Sequence, residues 1–468
     1  MNSIFKKTFD SQKEYFNSTH RFSSIRERKK ILKSMKTWIL KNQSKIESAI
    51  YSDFKKPKLE VQTTEIYPLI SAIKNACRNL DKWAAPKKVD AKLTYLFTKS
   101  QIHKQPKGVT LHISPWNYPF MLALEPTISA ISAGCTVILK PSEHTPNSAA
   151  LLEEMAMELF SPKVFSVFTG DYLVSKELLK LPFNHIFFTG GTSVGKIIMA
   201  EASKNLTSVT LELGGMNPCI VDETANLKDA AEKILWTKCL NAAQSCVSIN
   251  EIWIHESKFI NLKAALEQAS KKLYPKGFQE EQEMARIVNA NHFNRLKTLK
   301  EEAIKAGAEV LFGGEENEDS RFIGPTFLTK VSASAAIRNE EIFGPLVSVI
   351  LYKNIDDVYN YWYSKPIPLA AYYYSGSRKA KDVFRNSIQA GSTCINDCKL
   401  QFAHDELPFG GQNSSGIGKA HGEAGFLEFT NLKSEVTNKR GLTLAKQIYP
   451  PYHKKFKAHI VKNMIRWF

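Results

Sequence analysis

Apolar residues recur at intervals of three and four through Ile31-Leu32, Met35, Trp38-Ile39, Ile46 and Ile50. That spacing gathers them on one helical face, so residues 1–85 are predicted to be mainly helical. Between 88 and 105 (KVDAKLTYLFTKSQIHKQ) the pattern loosens into an alternation rich in Thr, Tyr, Leu and Ile. It predicts a hairpin or an extended arm. From 108 onward strands and helices alternate. GVTLHISP, Cys135–Leu139, Val164–Phe168 and His185–Phe188 read as strands, and Pro119–Ala133 and Pro146–Phe160 as helices. A second alternation runs from about 211 to 395. It has a strand at Glu251–His255, one long helix at Lys258–Leu273, and strands near Val347–Leu351 and Ala370–Tyr374. Strands separated by helices indicate an α/β chain with parallel, doubly wound sheets. The segment from 396 is richer in turn residues, and no internal repeat or low-complexity tract is present.

Length and composition narrow the class. A chain of 468 residues is long enough for two large domains with appendages. Hydrophobic residues at 43% and charged residues at 23% fit a globular core rather than a disordered chain. The longest apolar stretch, Phe120–Leu139, is interrupted by Glu125 and Pro126, so it reads as a buried helix and strand, not a membrane span. The N-terminus has charges and no apolar core of signal-peptide length, which favours a cytoplasmic location. The formal charge of +17 suits an anionic ligand, an acidic membrane surface, nucleic acid, or simply a solvated basic exterior. No zinc-finger spacing or aromatic RNA-binding motif accompanies it, so nucleic acid is not expected. The odd number of cysteines, seven, argues for reduced thiols. Cys394 and Cys398 lack a second pair or nearby histidines, so no metal is expected.

Several short motifs carry chemistry. Phe188-Thr-Gly190-Gly-Thr-Ser193-Val-Gly195-Lys196 follows a strand and opens a helical run. Glycines there admit a phosphate, and a helix N-terminus favours an anion. Ile197 stands where a P-loop needs Ser or Thr for magnesium, and a dinucleotide fingerprint is not met either, so a plain tight turn stays open. Gly416-x-Gly418-x-x-x-Gly422 reads as loop. Lys140-Pro-Ser-Glu143 ends a strand, where open sheets bind ligands, and could hold ribose hydroxyls or merely cap a turn. Cys246 is an inert core thiol on composition alone. Glu212, followed by two glycines, offers a base, and Asn117, beside Trp116, offers an oxyanion donor. Glu341-Ile-Phe343-Gly-Pro345 is bland in isolation.

In their order, these motifs resemble the aldehyde dehydrogenase superfamily: Pro115-Trp-Asn117, Lys140-Pro-Ser-Glu143, Phe188-Thr-Gly190, Glu212-Leu-Gly-Gly215, Gln244-Ser-Cys246, Glu341-Ile-Phe-Gly-Pro345 and Pro408-Phe-Gly-Gly411. The Leu-Pro-Phe-Gly-Gly-Gln-Asn-Ser-Ser-Gly-Ile-Gly segment with its following His-Gly, and Tyr449-Pro-Pro-Tyr452, are most similar to the class 3, or fatty-aldehyde, type. Two positions depart from the pattern. Gly191 stands where many members have Ser or Asn, leaving a pyrophosphate contact to backbone or Ser193. Ala243 stands where glycine is common ahead of Gln244-Ser-Cys246, which would tighten that loop.

The resemblance implies two Rossmann-like domains, a small β arm for oligomerisation, and a homodimer. It places a dinucleotide-binding domain at 1–87 and 106–210, a catalytic domain at 211–395, an arm at 88–105 and 396–440, and a tail at 441–468. It implies NAD or NADP as cofactor, Cys246 as nucleophile, Asn117 as oxyanion donor and Glu212 as base. Trp116, Lys140, Glu143, Gly190, Ser193, Gly195, Glu341 and Phe343 would then touch the cofactor. Trp236 would either wall an apolar substrate channel or pack as a core aromatic. The expected activity is oxidation of medium- or long-chain aliphatic or aromatic aldehydes to carboxylic acids. CoA-acylating chemistry is disfavoured by Glu212, a silent binding protein by the joint presence of Cys246, Glu212 and Asn117, and a P-loop NTPase by Ile197. In the tail, Phe456, Ile460, Met464 and Phe468 recur every four residues among lysines. That segment is expected to dock on the protein's own surface or to contact a membrane surface.

Overall fold

The computed structural model describes residues 2–90, 95, 97–280, 283–440 and 449–467. Residues 91–94 and 96 of the expected arm, and 441–448 and Phe468 of the tail, lie outside the described residues.

The first sheet has six strands, in the order Gly416–Ile417, Ser208–Glu212, His185–Thr189, Val109–Ile113, Thr136–Lys140 and Phe165–Val167. All are parallel except Gly416–Ile417. The chain starts at the central strand Val109–Ile113, winds outward through Thr136–Lys140 to Phe165–Val167, then returns to the other side at His185–Thr189. The order therefore reverses between Val109–Ile113 and His185–Thr189, and the carboxyl ends of those two strands form the crevice in which such sheets hold ligands. The inner strands are buried along their whole length because helices cover both faces. Leu111, Ile138, Ile186 and Phe188 pack on one face, and Val137, Leu139 and Phe187 on the other, with the alternation of a pleated strand. Met121–Ala133 forms the predicted buried helix. It stops at Gly134, φ 91°, and Arg28 donates to the carbonyls of Ser132 and Ala133 there.

The second sheet has seven strands, in the order Glu309–Phe312, Thr326–Thr329, Leu346–Tyr352, Ile249–His255, Asn217–Val221, Ala370–Tyr374 and Ser392–Ile395, with only Glu309–Phe312 antiparallel. The doubly wound α/β reading thus holds for both halves. The single helix expected over 258–273 is instead two, Glu256–Phe259 and Leu262–Leu273. His255 caps the first by accepting from the Ser257 amide, and Asn261 stands as the residue before the second.

A third sheet joins Lys87–Val89, Thr98–Pro106 and Thr430–Asn438. The last two pair antiparallel over nine residues, from Pro106↔Thr430 to Thr98↔Asn438. The tail helix, Lys455–Trp467, forms, but none of its described residues is buried, and Phe456 and Ile465 are 69% and 79% exposed. Ile460, Val461 and Met464 on the same helix are half-buried.

Candidate active site

Cys246 sits on a loop whose shape is set before it. The helix Leu227–Cys239 ends, and Asn241, Ala242 and Ala243 follow with φ of 57°, 48° and 54°. Three successive residues in the left-handed region are costly without glycine, so the surroundings must hold them there. They do so with side-chain amides. Asn241 Nδ2 donates to the carbonyls of Asn117 and Gln244 at 2.9 and 3.1 Å. Gln244 Nε2 donates to the carbonyls of Asn241 and Arg286 at 3.0 and 3.1 Å, and its Oε1 accepts from the Val288 amide at 3.0 Å. Asn217 Nδ2 donates to the Cys246 and Ser248 carbonyls, each at 2.8 Å. The fully buried Lys238 ammonium donates to Ser248 Oγ and to the carbonyls of Ile249 and Gly344.

Asn117 lies just past the strand Val109–Ile113. Its Nδ2 donates to the Gln244 carbonyl at 3.0 Å, tying the oxyanion candidate to the nucleophile loop. A primary amide has two N–H donors, so one remains for a substrate oxygen. Glu212 ends the strand Ser208–Glu212. It is 5% exposed, and neither carboxylate oxygen has a hydrogen-bond partner among the described residues.

Cys246, Glu212 and Asn117 line one cavity of about 260 Å³ together with Trp116, Glu341 and Phe343. Glycines make room for its carboxylates. A Cβ on Gly214 would stand 2.2 Å from Glu341 Oε1, and one on Gly410 would stand 2.8 Å from Glu212 Oε1. Burial pushes the Cys246 thiol up to about 12, and the carboxyls of Glu341 and Glu212 add to the rise. Burial also raises Glu212 well above the carboxylate range, with Lys419 opposing and Glu125 and Glu428 reinforcing the shift. Glu341 is raised to about 7 by burial, against the Gly215 amide and the Arg295 cation.

A second cavity of about 670 Å³ shares Pro115, Trp116, Thr189, Gly190 and Gly191 with the first, so one groove runs from Cys246 to Lys140 and Glu143. Lys140 is 3% exposed and donates to Glu143 Oε2 at 2.7 Å. Burial works hardest against the Glu143 carboxylate, but the Lys140 hydrogen bond, the Glu143 backbone amide and the charges of Lys140 and His144 together outweigh it and hold the group below its ordinary value. Gly191 precedes the helix Thr192–Ser203 and supplies no side-chain cap, so that helix end has amides to offer an anion. Val194, Ile197 and Ile198 wall the far part. A phosphate-bearing, ribose-containing dinucleotide fits this groove: donors at a helix end in the middle, the Lys140–Glu143 pair at one end, and the buried, unpartnered Glu341 Oε1 at the other.

Three expected residues stand apart. Gly195 is buried, does not line the groove, and packs where a Cβ would strike Leu213 Cδ2 at 2.7 Å. Ser193 is exposed and outside the groove lining. Trp236 is 40% exposed and does not line the cavity of Cys246. In the cavity of Cys246 itself, two lining residues are not foreseen from the sequence: His292 and Arg295, on the helix Ala290–Lys305. His292 packs against Trp116 at 5.2 Å, and Phe343 meets the same indole edge-on at 5.4 Å. No motif flags either residue, because they reach the site from a helix far from the other landmarks in sequence.

Residues 4–435 match the model of the aldehyde dehydrogenase family. The 4,4'-diaponeurosporen-aldehyde dehydrogenase of Staphylococcus aureus is 41% identical over 458 residues, covering 98% of each chain. Aldehyde dehydrogenase family 3 member H1 of Arabidopsis thaliana is 37% identical over 425 residues, 91% of this chain and 87% of that one. The solved structure of Staphylococcus aureus AldH in a substrate-bound state superposes with a TM-score of 0.94 at 39% identity, covering 98% of this chain and 99% of that one.

Proposed function

Because this chain belongs to the aldehyde dehydrogenase family, we propose that it oxidises apolar aldehydes, medium- or long-chain aliphatic or aromatic, to carboxylic acids with NAD or NADP. The observation that carries this reading is the meeting of Cys246, Glu212 and Asn117 in one cavity at the end of a dinucleotide-sized groove. The apolar substrate class is supported by the relative named for 4,4'-diaponeurosporen-aldehyde.

In this mechanism the Cys246 thiol gives its proton to solvent water and its sulfur bonds to the aldehyde carbon, while the carbonyl electron pair moves to oxygen. The remaining Asn117 N–H and the Cys246 backbone N–H donate to that oxygen. The nicotinamide, when bound, supplies the acceptor for the hydride of the aldehyde carbon. Glu212 then takes a proton from water as the water oxygen bonds to the thioester carbon. The C–S bond breaks, its electron pair returns to sulfur, and the acid leaves. Lys140 and Glu143 would hold one ribose and Glu341 the other, and Trp116, Gly190 and Phe343 would line the path between them. Glu143 repels a 2′-phosphate and Lys140 attracts one, so neither cofactor is singled out.

We also assign 1–87 and 106–210 to cofactor binding, 211–395 to catalysis, and 88–105 with 396–440 to an arm that bridges two subunits of a homodimer. The tail helix, basic and with Phe456 and Ile465 exposed, is assigned to peripheral contact with an anionic membrane surface.

Absorbance of reduced nicotinamide tests the activity. Purified protein with NAD or NADP and hexanal, dodecanal or benzaldehyde should reduce cofactor without CoA. Cys246→Ala should abolish this while still binding cofactor. Near-normal turnover of that variant, or turnover only with CoA, would overturn the assignment.

A further inference from the structure

The Glu212 carboxyl poses a physical problem. As a base it must carry a negative charge, yet both oxygens are buried with no hydrogen-bond partner among the described residues, and an unpaired buried charge is expensive. Four titratable groups face it from the elements packed around it. They are the Cys246 thiol on the nucleophile loop, Glu125 in the helix Met121–Ala133, Glu428 ending the helix Gly422–Glu428, and Lys419 on the loop before that helix. Three of them are acids, and Lys419 is the cation.

The backbone brings Lys419 to the base. The strand Gly416–Ile417 pairs antiparallel with the strand of Glu212, with Gly416 opposite Glu212 itself. The point where a Gly410 Cβ would stand is 2.8 Å from Glu212 Oε1 and 3.1 Å from Lys419 Cδ. Carboxylate and lysine stem are thus neighbours across a residue with no side chain. The Lys419 ammonium donates to the carbonyls of Gly410 and Gly411. An ammonium has three protons, so one donor is left over. The anchors on the far side are firm: the Lys419 amide donates to Glu428 Oε1 at 3.0 Å, and Glu428 Oε2 accepts from Thr210 Oγ1 at 2.8 Å.

We propose that Lys419 is a positioning residue for the base, its ammonium supplying the counter-charge that lets Glu212 stay deprotonated until water attacks. This rests on the reading of Glu212 as the base of an aldehyde dehydrogenase. Once Glu212 has taken the water proton, the carboxyl is neutral and the ammonium is held by the two glycine carbonyls alone.

The test compares full-length wild type, Lys419→Met and Lys419→Arg with NAD and dodecanal. Steady-state rate is followed from pH 6 to 9, and the acyl group on Cys246 is read by mass after acid quench. Removing the counter-charge should slow hydrolysis at pH 7 about tenfold and move the rising limb of the rate up by about one pH unit. Acyl-enzyme should accumulate in Lys419→Met, the KM for NAD should not change, and Lys419→Arg should restore the wild-type profile. If Lys419→Met does not fold, Lys419→Gln carries the same expectations. A Met profile that overlays wild type overturns the proposal, as does a uniform loss of rate at every pH without acyl accumulation. No turnover in wild type would instead sink the underlying reading.

Discussion

Burial works against the charged forms that Cys246 and Glu212 need for their proposed work. A free thiol near ~8.5 is a few per cent thiolate at neutral pH, whereas this one is pushed up to about 12. The division of labour between the two residues is open to direct test. Glu212→Gln removes the proton acceptor but keeps the volume, so the first turnover should proceed and the second should stall. We expect acyl-enzyme to build up on Cys246 and steady-state turnover to fall by about 100-fold or more, the scale of lost general-base help. An unchanged steady-state rate would remove Glu212 from the role of base.

At the scale of the element, the nucleophile loop is the strained piece. Ala243 has φ 54° and is fully buried. Replacing it with glycine relieves the left-handed backbone, worth roughly 1–2 kcal/mol. The gain is offset by glycine's greater freedom when unfolded and by the lost methyl contact. Ala243→Gly should therefore stay within about 1 kcal/mol of wild type. Ala243→Val is different, because a β-branched residue is an outlier at that φ and overpacks a closed site. It should cost about 3 kcal/mol or more and depress turnover further than stability. Thermal denaturation and turnover of the two variants separate these outcomes. Equal Tm values for Gly and Val would show that the loop is not under the constraint described.

Across the whole molecule, buried acids make stability depend on pH. Glu125 is 6% exposed and raised to about 7 by burial, against the His421 amide and Ser129. Its ordinary value is 4.5. Between these values the folded chain keeps a proton that the unfolded chain has lost, so stability falls as pH rises from about 4.5 to 7 and stays lower above. The shift corresponds to about 3 kcal/mol as an upper scale. Glu125→Gln keeps an acceptor for the His421 amide and carries no charge. Its Tm should match wild type near pH 4.5 and exceed it increasingly toward pH 8, and a constant difference would mean Glu125 does not couple folding to protons. Sedimentation of the full chain and of residues 1–449, with and without anionic vesicles, tests the assembly. A mass twice the monomer is expected for both, with vesicle recovery only for the full chain, and equal recoveries would remove the membrane assignment.

Local pattern was enough for the elements that are long and periodic, since their apolar faces are written in consecutive residues. The buried helix Met121–Ala133, the strands around it and the alternation of both domains were legible in this way. So were Cys246, Glu212 and Asn117, through short motifs whose glycines and order carried the family resemblance. Other features depended on chain segments distant in sequence. His292 and Arg295 reach the cavity only because the helix Ala290–Lys305 packs beside it. Gly195 turned out to be a packing glycine because Leu213 lies against it. The tail helix has the expected period, yet Phe456 and Ile465 stay exposed on it. The left-handed run at Asn241–Ala243 is held by the Asn241 and Gln244 side-chain amides, which donate to the Asn117 and Arg286 carbonyls, and by the Val288 N–H, which donates to Gln244 Oε1. Sequence alone determined which groups the protein has to work with, since hydrophobic period and motif are local properties. Their solvation and neighbours, and hence whether an acid is charged or a lysine faces a base, arise from burial and contact across the fold, and only the tertiary structure decided them.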